Sequence, residues 1–265
     1  MLMSHSKAFR HVGVWLLSAC LLNPLVCFAE TEAVFTVQIA PGATQKYSLL
    51  LSGDDTSEER VFVLFTGGDG YVHMGLLDSA PVFIGRGILV DGRGLFLRGH
   101  NAVAVVDSPS LMPEMPVAYR RSEAYLSGTE KVIGAIQAKV PTAKIYLVGA
   151  SNGSVSVIKL AARLGSRIAG TVILSGIFND PAQLKDVAAN QRVLFVHHEK
   201  DACLPLRFTP AFRDRFHPVI VEDIRVHYAR TCGPYSAHHF HGQESAVVDL
   251  VYQWSEARFI PERIR

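Results

Sequence analysis

Residues 149–153 read Gly-Ala-Ser-Asn-Gly, a Gly-x-Ser-x-Gly pentapeptide set between the apolar run Ile145-Tyr146-Leu147-Val148 and a segment of helical character from Ser154 to Leu164. No other stretch constrains the fold as strongly. A serine on a tight strand-to-helix turn is forced into a strained backbone conformation. Flanking glycines lack the Cβ atoms that would clash there, so the hydroxyl stands clear of the sheet edge. The helix that follows aims its unpaired N–H groups and the positive end of its dipole at the same point, where an oxyanion would form. The pentapeptide is built of common residues, so the strand before it and the helix after it carry the weight of the motif.

The rest of the chain supplies strands and helices in alternation. Ala33 to Ile39 and Tyr47 to Leu51 read as an antiparallel hairpin turning at Pro41-Gly42. After a polar loop from Ser52 to Glu59, the unbroken apolar run Arg60-Val61-Phe62-Val63-Leu64-Phe65 suits a strand buried on both faces. It ends at Thr66-Gly67-Gly68-Asp69-Gly70, which is either an ordinary glycine turn or a loop whose N–H groups approach a ligand. Tyr71 to His100 is rich in glycine and fits no single element. Asn101 to Val106 is a strand, a helix ends near Lys139, Ile168 to Leu174 and Val193 to Val196 are strands, Val219 to Val226 is the last strand, and Ser245 to Ile260 is a C-terminal helix with Val247, Val248, Val251 and Trp254 on one face. The expected fold is α/β, with a mainly parallel central sheet and helices on both faces. The connection from Ser175 to Gln191 is too short for a separate lid domain.

Of the 265 residues, 49% are hydrophobic and 19% charged, enough for one sizeable core and too apolar for disorder. The first residues stand apart from that core. Lys7 and Arg10 precede a largely apolar stretch from Val12 to Val26, and Cys27-Phe28-Ala29 ends in a small residue before Glu30. This pattern predicts a signal peptide over 1–29, cleaved after Ala29, and an exported α/β domain over 30–265. A retained anchor and a lipid on Cys20 are the competing readings; Asn23 and Pro24 leave the apolar run short for a membrane span. The chain has 26 Lys+Arg against 24 Asp+Glu, and the leader holds Lys7 and Arg10 with no acid, so the mature domain is balanced. No basic patch invites nucleic acid. Cys20 and Cys27 leave with the leader, and the remaining pair, Cys203 and Cys232, suggests one disulfide in an oxidising compartment.

A serine hydroxyl needs a base to take its proton and a carboxylate to orient that base. After a strand–serine–helix turn these follow in the order acid, then histidine, at strand ends. His197-His198-Glu199-Lys200-Asp201-Ala202-Cys203 offers Glu199 or Asp201 as the acid, and Ser236-Ala237-His238-His239-Phe240-His241-Gly242 offers the base. Two histidine clusters with carboxylates also suit zinc, but no His-x-x-x-His helix pair supports it, and the serine turn would then be unexplained. Neither a metal nor a cofactor is expected.

Taken together, Phe65-Thr66-Gly67-Gly68-Asp69-Gly70, Val148-Gly149-Ala150-Ser151-Asn152-Gly153-Ser154, the His197 to Cys203 stretch and the His238 segment resemble the α/β-hydrolase superfamily. The likeness is to its small lidless branch, related to dienelactone hydrolases and exported bacterial esterase-like proteins. In that branch the histidine opens a His-Gly-Phe-x-Gly segment, which aligns with His238-His239-Phe240-His241-Gly242 and favours His238. His239 occupies the family's glycine position and stays a second candidate. By the same alignment Asp201, rather than Glu199, falls at the acid. The resemblance implies acyl transfer to a small-molecule substrate, with Ser151 as nucleophile, His238 as base and Asp201 as its orienter. The N–H of Asn152 and one from Gly68 or Asp69 would hold the oxyanion. Ester, thioester, lactone and amide bonds all fit such a triad, and a non-catalytic exported binding domain on the same fold is the competing class.

Overall fold

The computed structural model describes residues 31–52, 58–78, 80–185, 187, 191–205, 207–223 and 230–265. The expected leader over 1–29, the end of the expected last strand (224–226) and His227 lie outside them.

In chain order the strands are β1 (Thr31–Ala40), β2 (Ala43–Leu51), β3 (Arg60–Phe65), β4 (Gly75–Leu77), β5 (Ala80–Val82), β6 (Asn101–Pro109), β7 (Lys144–Ala150), β8 (Gly170–Leu174), β9 (Val193–His198), β10 (Val219–Val221) and β11 (Arg263–Ile264). The α-helices are α1 (Ile88–Asp91), α2 (Glu123–Lys139), α3 (Gly153–Leu164), α4 (Pro210–Phe216) and α5 (Glu244–Ser255). Nine strands form the main sheet in the order β1-β2-β6-β3-β7-β8-β9-β10-β11, and β4 and β5 make a separate hairpin. β1, β2 and β6 are antiparallel neighbours; every pairing from β6 to β11 is parallel.

Burial follows from that topology. Parallel strands joined by helical crossovers are covered on both sides, so they are written in continuous apolar residues. In β3, Val61, Val63 and Phe65 enter one core cluster while Phe62 and Leu64 enter the other. The first cluster takes in Val132, Ile133 and Ile136 of α2, Val155 and Ile158 of α3, and Phe212 of α4. The second takes in Ile88 and Leu89 of α1 and Val247, Val248 and Val251 of α5. Helices therefore cover both faces. Each of these fully buried aliphatic side chains contributes on the order of 1.5–3 kcal/mol.

Local signals set the helix ends. Ser122 caps α2 by accepting from Tyr125 N–H at 3.2 Å, and Glu123 and Lys139 complement its dipole. Gly165, at φ +57°, ends α3. Thr209 accepts from Phe212 N–H, with Pro210 opening α4.

Two expectations at the C-terminus are corrected. The final helix stops at Ser255 rather than Ile260, because the chain turns through Ala257 at φ +57°. Ile260 still packs on the core, which is why it continued the apolar pattern. The last strand is β11 rather than the stretch from Val219, since Arg263–Ile264 adds parallel to β10 at the sheet edge. The unassigned Tyr71 to His100 segment contains the β4–β5 hairpin, α1 and a 3₁₀ turn over Arg93–Phe96.

Candidate active site

Ser151 follows the last residue of β7, in the middle of the parallel sheet, at φ +51°. A non-glycine residue held there costs on the order of 1–3 kcal/mol, which the surrounding packing must impose. The glycines around it leave no room for a side chain. A Cβ on Gly149 would lie 2.6 Å from Gly153 O, one on Gly153 would lie 2.1 Å from Phe65 O, and one on Gly67 would lie 2.8 Å from Ser151 Cβ. The turn is tied at both ends. Ser151 N–H donates to Leu174 O at 3.0 Å, and Ser154 donates from its N–H (3.0 Å) and its Oγ (2.5 Å) to Ser151 O.

The loops after β9 and β10 bring Asp201 and His238 together. His238 Nδ1 donates to Asp201 Oδ2 at 2.7 Å, with both side chains almost fully buried. Asp201 Oδ1 accepts from the N–H groups of Cys203 (2.9 Å) and Leu204 (3.0 Å), which fixes the carboxylate plane. Burial works to raise the Asp201 carboxyl. The hydrogen bond and charge of His238, the Leu204 N–H and the charge of His197 outweigh it and hold the group below the ordinary carboxylate range. Glu199 is not part of this contact: it is exposed and accepts from Asp223 N–H at 2.9 Å.

The neighbouring histidines are packed differently. Gly87, at φ +111°, passes so close to His239 that a Cβ would sit 2.6 Å from its Nδ1. Burial first, and then the charge of His238, push His239 from the usual 6.5 down to about 4. His197 Nε2 donates to Leu204 O at 2.8 Å, and burial lowers its pKa as well. His198 accepts from Lys200 N–H on Nδ1 and donates from Nε2 to Gln243 Oε1 at 3.0 Å. Both prop the Asp201 loop. Neither role is legible from a run of two histidines and two acids.

The loop after β3 faces Ser151. It turns through Gly68 (φ +55°) and Gly70 (φ +79°), with Gly70 N–H on Gly67 O at 2.9 Å. Asn152 Nδ2 donates to Gly68 O at 3.0 Å, joining this loop to the serine turn. Beneath it lies Arg120, 1% exposed, which donates to Ser156 Oγ at 2.9 Å, to Gly68 O at 3.2 Å and to Thr66 O at 3.4 Å. Burial lowers the pKa of its guanidinium. In sequence Arg120 is an unremarked base in a proline-bounded loop, and nothing local marks it as buried.

Gly68, Asp69, Ser151, Asn152 and His238 border one cleft of about 390 Å³, whose far wall is Gly85 and Arg86. The segment from Tyr71 to His100 thus supplies one wall of this cleft, through Tyr71, Val72, Gly85, Arg86 and Val90. Cys203 and Cys232, also in its wall, are disulfide-bonded with their Cα atoms 4.9 Å apart.

No family model and no curated protein matches the sequence. Solved structures do. A lidless α/β serine hydrolase from Xanthomonas campestris matches with a TM-score of 0.59 at 15% identity, over 88% of this chain and 97% of its own. The dienelactone hydrolase of Anabaena variabilis matches at 0.59 and 13% identity, over 87% and 99%. Est1E from Butyrivibrio proteoclasticus matches at 0.57 and 13%, over 85% and 100%. At such identities the likeness concerns the fold: this chain has the α/β-hydrolase fold in its lidless form.

Proposed function

We propose that this protein is a serine hydrolase that cleaves an ester-type acyl bond through an acyl-enzyme. The observation that carries the reading is the 2.7 Å bond from His238 Nδ1 to Asp201, with His238 lining the same cleft as a serine held at φ +51°. With Nδ1–H committed to Asp201, the neutral ring keeps its lone pair on Nε2, the tautomer a general base requires.

In the proposed reaction Ser151 Oγ attacks the carbonyl carbon and passes its proton to His238 Nε2. Asp201, kept ionised, stabilises the imidazolium. The N–H of Asn152 and one from Gly68 or Asp69 hold the oxyanion, each worth about 3 kcal/mol of barrier. The imidazolium gives its proton to the leaving oxygen; water then repeats the sequence on the acyl-enzyme and releases the acid. Several of the structural neighbours bear hydrolase names, and Est1E has been obtained with ferulic acid bound, which agrees with acyl chemistry on this scaffold.

A fluorophosphonate probe tests the reading. It should label the wild-type protein once, at Ser151, and leave Ser151→Ala unlabelled with its circular dichroism unchanged. A panel of esters, thioesters, lactones and amides then ranks the leaving groups, with esters expected first. Labelling that survives Ser151→Ala would sink the proposal. The Cys203–Cys232 disulfide and the apolar N-terminal stretch support export to an oxidising compartment as part of the same proposal.

A further inference from the structure

The segment that walls the cleft carries an unusual share of exposed apolar surface. Tyr71, Leu76, Leu77, Val82 and Ile84 are all exposed, Leu77 by 64% and Ile84 by 68%, and Leu111 in the loop after β6 is exposed by 68%. Exposed apolar surface gathered in one place marks a contact surface. Tyr71 and Ile84 of this set also line a second cavity of about 380 Å³, together with His73, Met74 and Pro113 and the polar Lys46 and Asp107. That cavity adjoins the cleft: Tyr71 lines both, and Ile84 of the outer cavity is the chain neighbour of Gly85 in the inner one.

The partition between them is rigid. Asp107, at the end of β6, accepts the N–H groups of Val72 (2.8 Å) and Met74 (3.0 Å) on its two carboxylate oxygens. Val72 O in turn accepts from Ile84 N–H (3.2 Å) and Gly85 N–H (2.9 Å). On this frame the rings of Tyr71 and His73 stack with centroids 3.6 Å apart and planes 27° from parallel, His73 being held at φ +54°. A wall already fixed in place loses little entropy when a ligand lies against it.

We propose that the outer cavity is an extension of the substrate site, seating the apolar arm of the ester as it runs from the carbonyl at Ser151 past Tyr71 toward Met74, Ile84 and Pro113. This rests on the reading of Ser151 as nucleophile. Asp69, Arg86, Asn152 and His238 line the cleft at the serine, whereas the outer cavity is mixed: Tyr71, Met74, Ile84 and Pro113 make its apolar side, and its charged side chains Lys46 and Asp107 are bonded to the backbone of Met74 and Val72. The favoured substrate is an ester with an uncharged alkyl or aryl arm, and binding that arm supplies energy to the distant acyl transfer.

Two ester series test it: p-nitrophenyl acetate to octanoate, lengthening the acyl side, and alkyl acetates, lengthening the alcohol side. In one of them kcat/KM should climb about two- to fourfold per methylene until the cavity is filled. Ile84→Asp, a substitution at an exposed position away from the serine, should flatten the climb while acetate turnover persists, and Ile84→Leu should restore it. Tyr71→Ala should raise KM for the longest ester. A flat profile in both series, or an equal loss on short and long esters, would overturn the proposal. Fluorophosphonate labelling of the same samples separates the failures: a labelled Ser151 with a flat profile sinks the extended site alone, whereas an unlabelled serine with no turnover sinks the nucleophile reading with it.

Discussion

At the scale of single residues, adjacent histidines carry opposite assignments. His238 is bonded to a buried carboxylate, while His239 sits against the Gly87 backbone with its pKa pushed down to about 4. Replacing His238 by Ala should lower kcat about 10³-fold or more, because the proton transfer and its charge stabilisation go together. His239→Gln should leave kcat within about tenfold of wild type in the same ester assay. His239 has a second consequence, in stability. Its folded pKa lies below the usual 6.5, so between pH 6.5 and about 4 the unfolded chain binds the extra proton. Its contribution is complete above pH 6.5 and is lost as the pH falls toward 4, about 2–3 kcal/mol across the window. Asp201, held below 3.8, stays charged throughout that range. Thermal melts from pH 7 to 4.5 should therefore show a shallower decline for His239→Gln than for wild type, and parallel curves would refute the assignment.

At the scale of elements, the serine turn is a steric device. Gly153 opens α3 against the carbonyl of Phe65, and a methyl placed there would meet backbone 2.1 Å away, which no rotamer relieves. Gly153→Ala should cost about 3 kcal/mol or more, read from the urea midpoint, since overpacking against backbone must move an element. The disulfide acts on the two loops that carry the acid and the histidine. Closing the 29-residue separation contributes about 3–4 kcal/mol by the chain-entropy relation. Its geometric effect is more local, because Cys203 N–H is itself a donor to Asp201. Reduction, or the double change Cys203→Ser with Cys232→Ser, should lower turnover at temperatures where circular dichroism is still native. Activity and fold lost together would reduce the bond to a stability element.

At the scale of the whole molecule, β3, β7 and β9 run parallel, so the loops after them meet at one edge of the sheet, where a parallel α/β sheet builds its ligand site. Ser151, the glycine loop and Asp201 all lie there by topology alone, and His238 joins them from the loop after β10. The leader expected over 1–29 bears on the molecule as a whole too. If it is removed after Ala29, mass measurement of the exported protein will give Glu30 as its first residue; a lipid-modified Cys20 would replace that cleavage with the lipoprotein alternative.

How much of this was legible in the chain follows from how far each signal reaches. The run from Arg60 to Phe65 is the observed β3, and the serine turn lies between a strand and a helix as its neighbours imply, because periodicity and glycine sterics act within a few residues. The mainly parallel sheet and the absence of room for a lid follow from the same alternation of short segments. Tertiary contact alone decided the rest. Residue type and spacing do not separate Glu199 from Asp201, and only the family resemblance favoured Asp201; folding leaves the first on the surface and buries the second against His238. Arg120 and Asp107 look like ordinary loop charges, and become supports for the glycine loop and the cleft wall because partners more than thirty residues away in sequence close around them. The segment from Tyr71 to His100 has no strong period of its own; its place beside the cleft comes from bonds to Asp107 and from Gly87 packing on His239. Local patterns specify elements, since backbone preferences are felt over a turn or a strand. Which side chains meet depends on long-range packing, which no single stretch encodes.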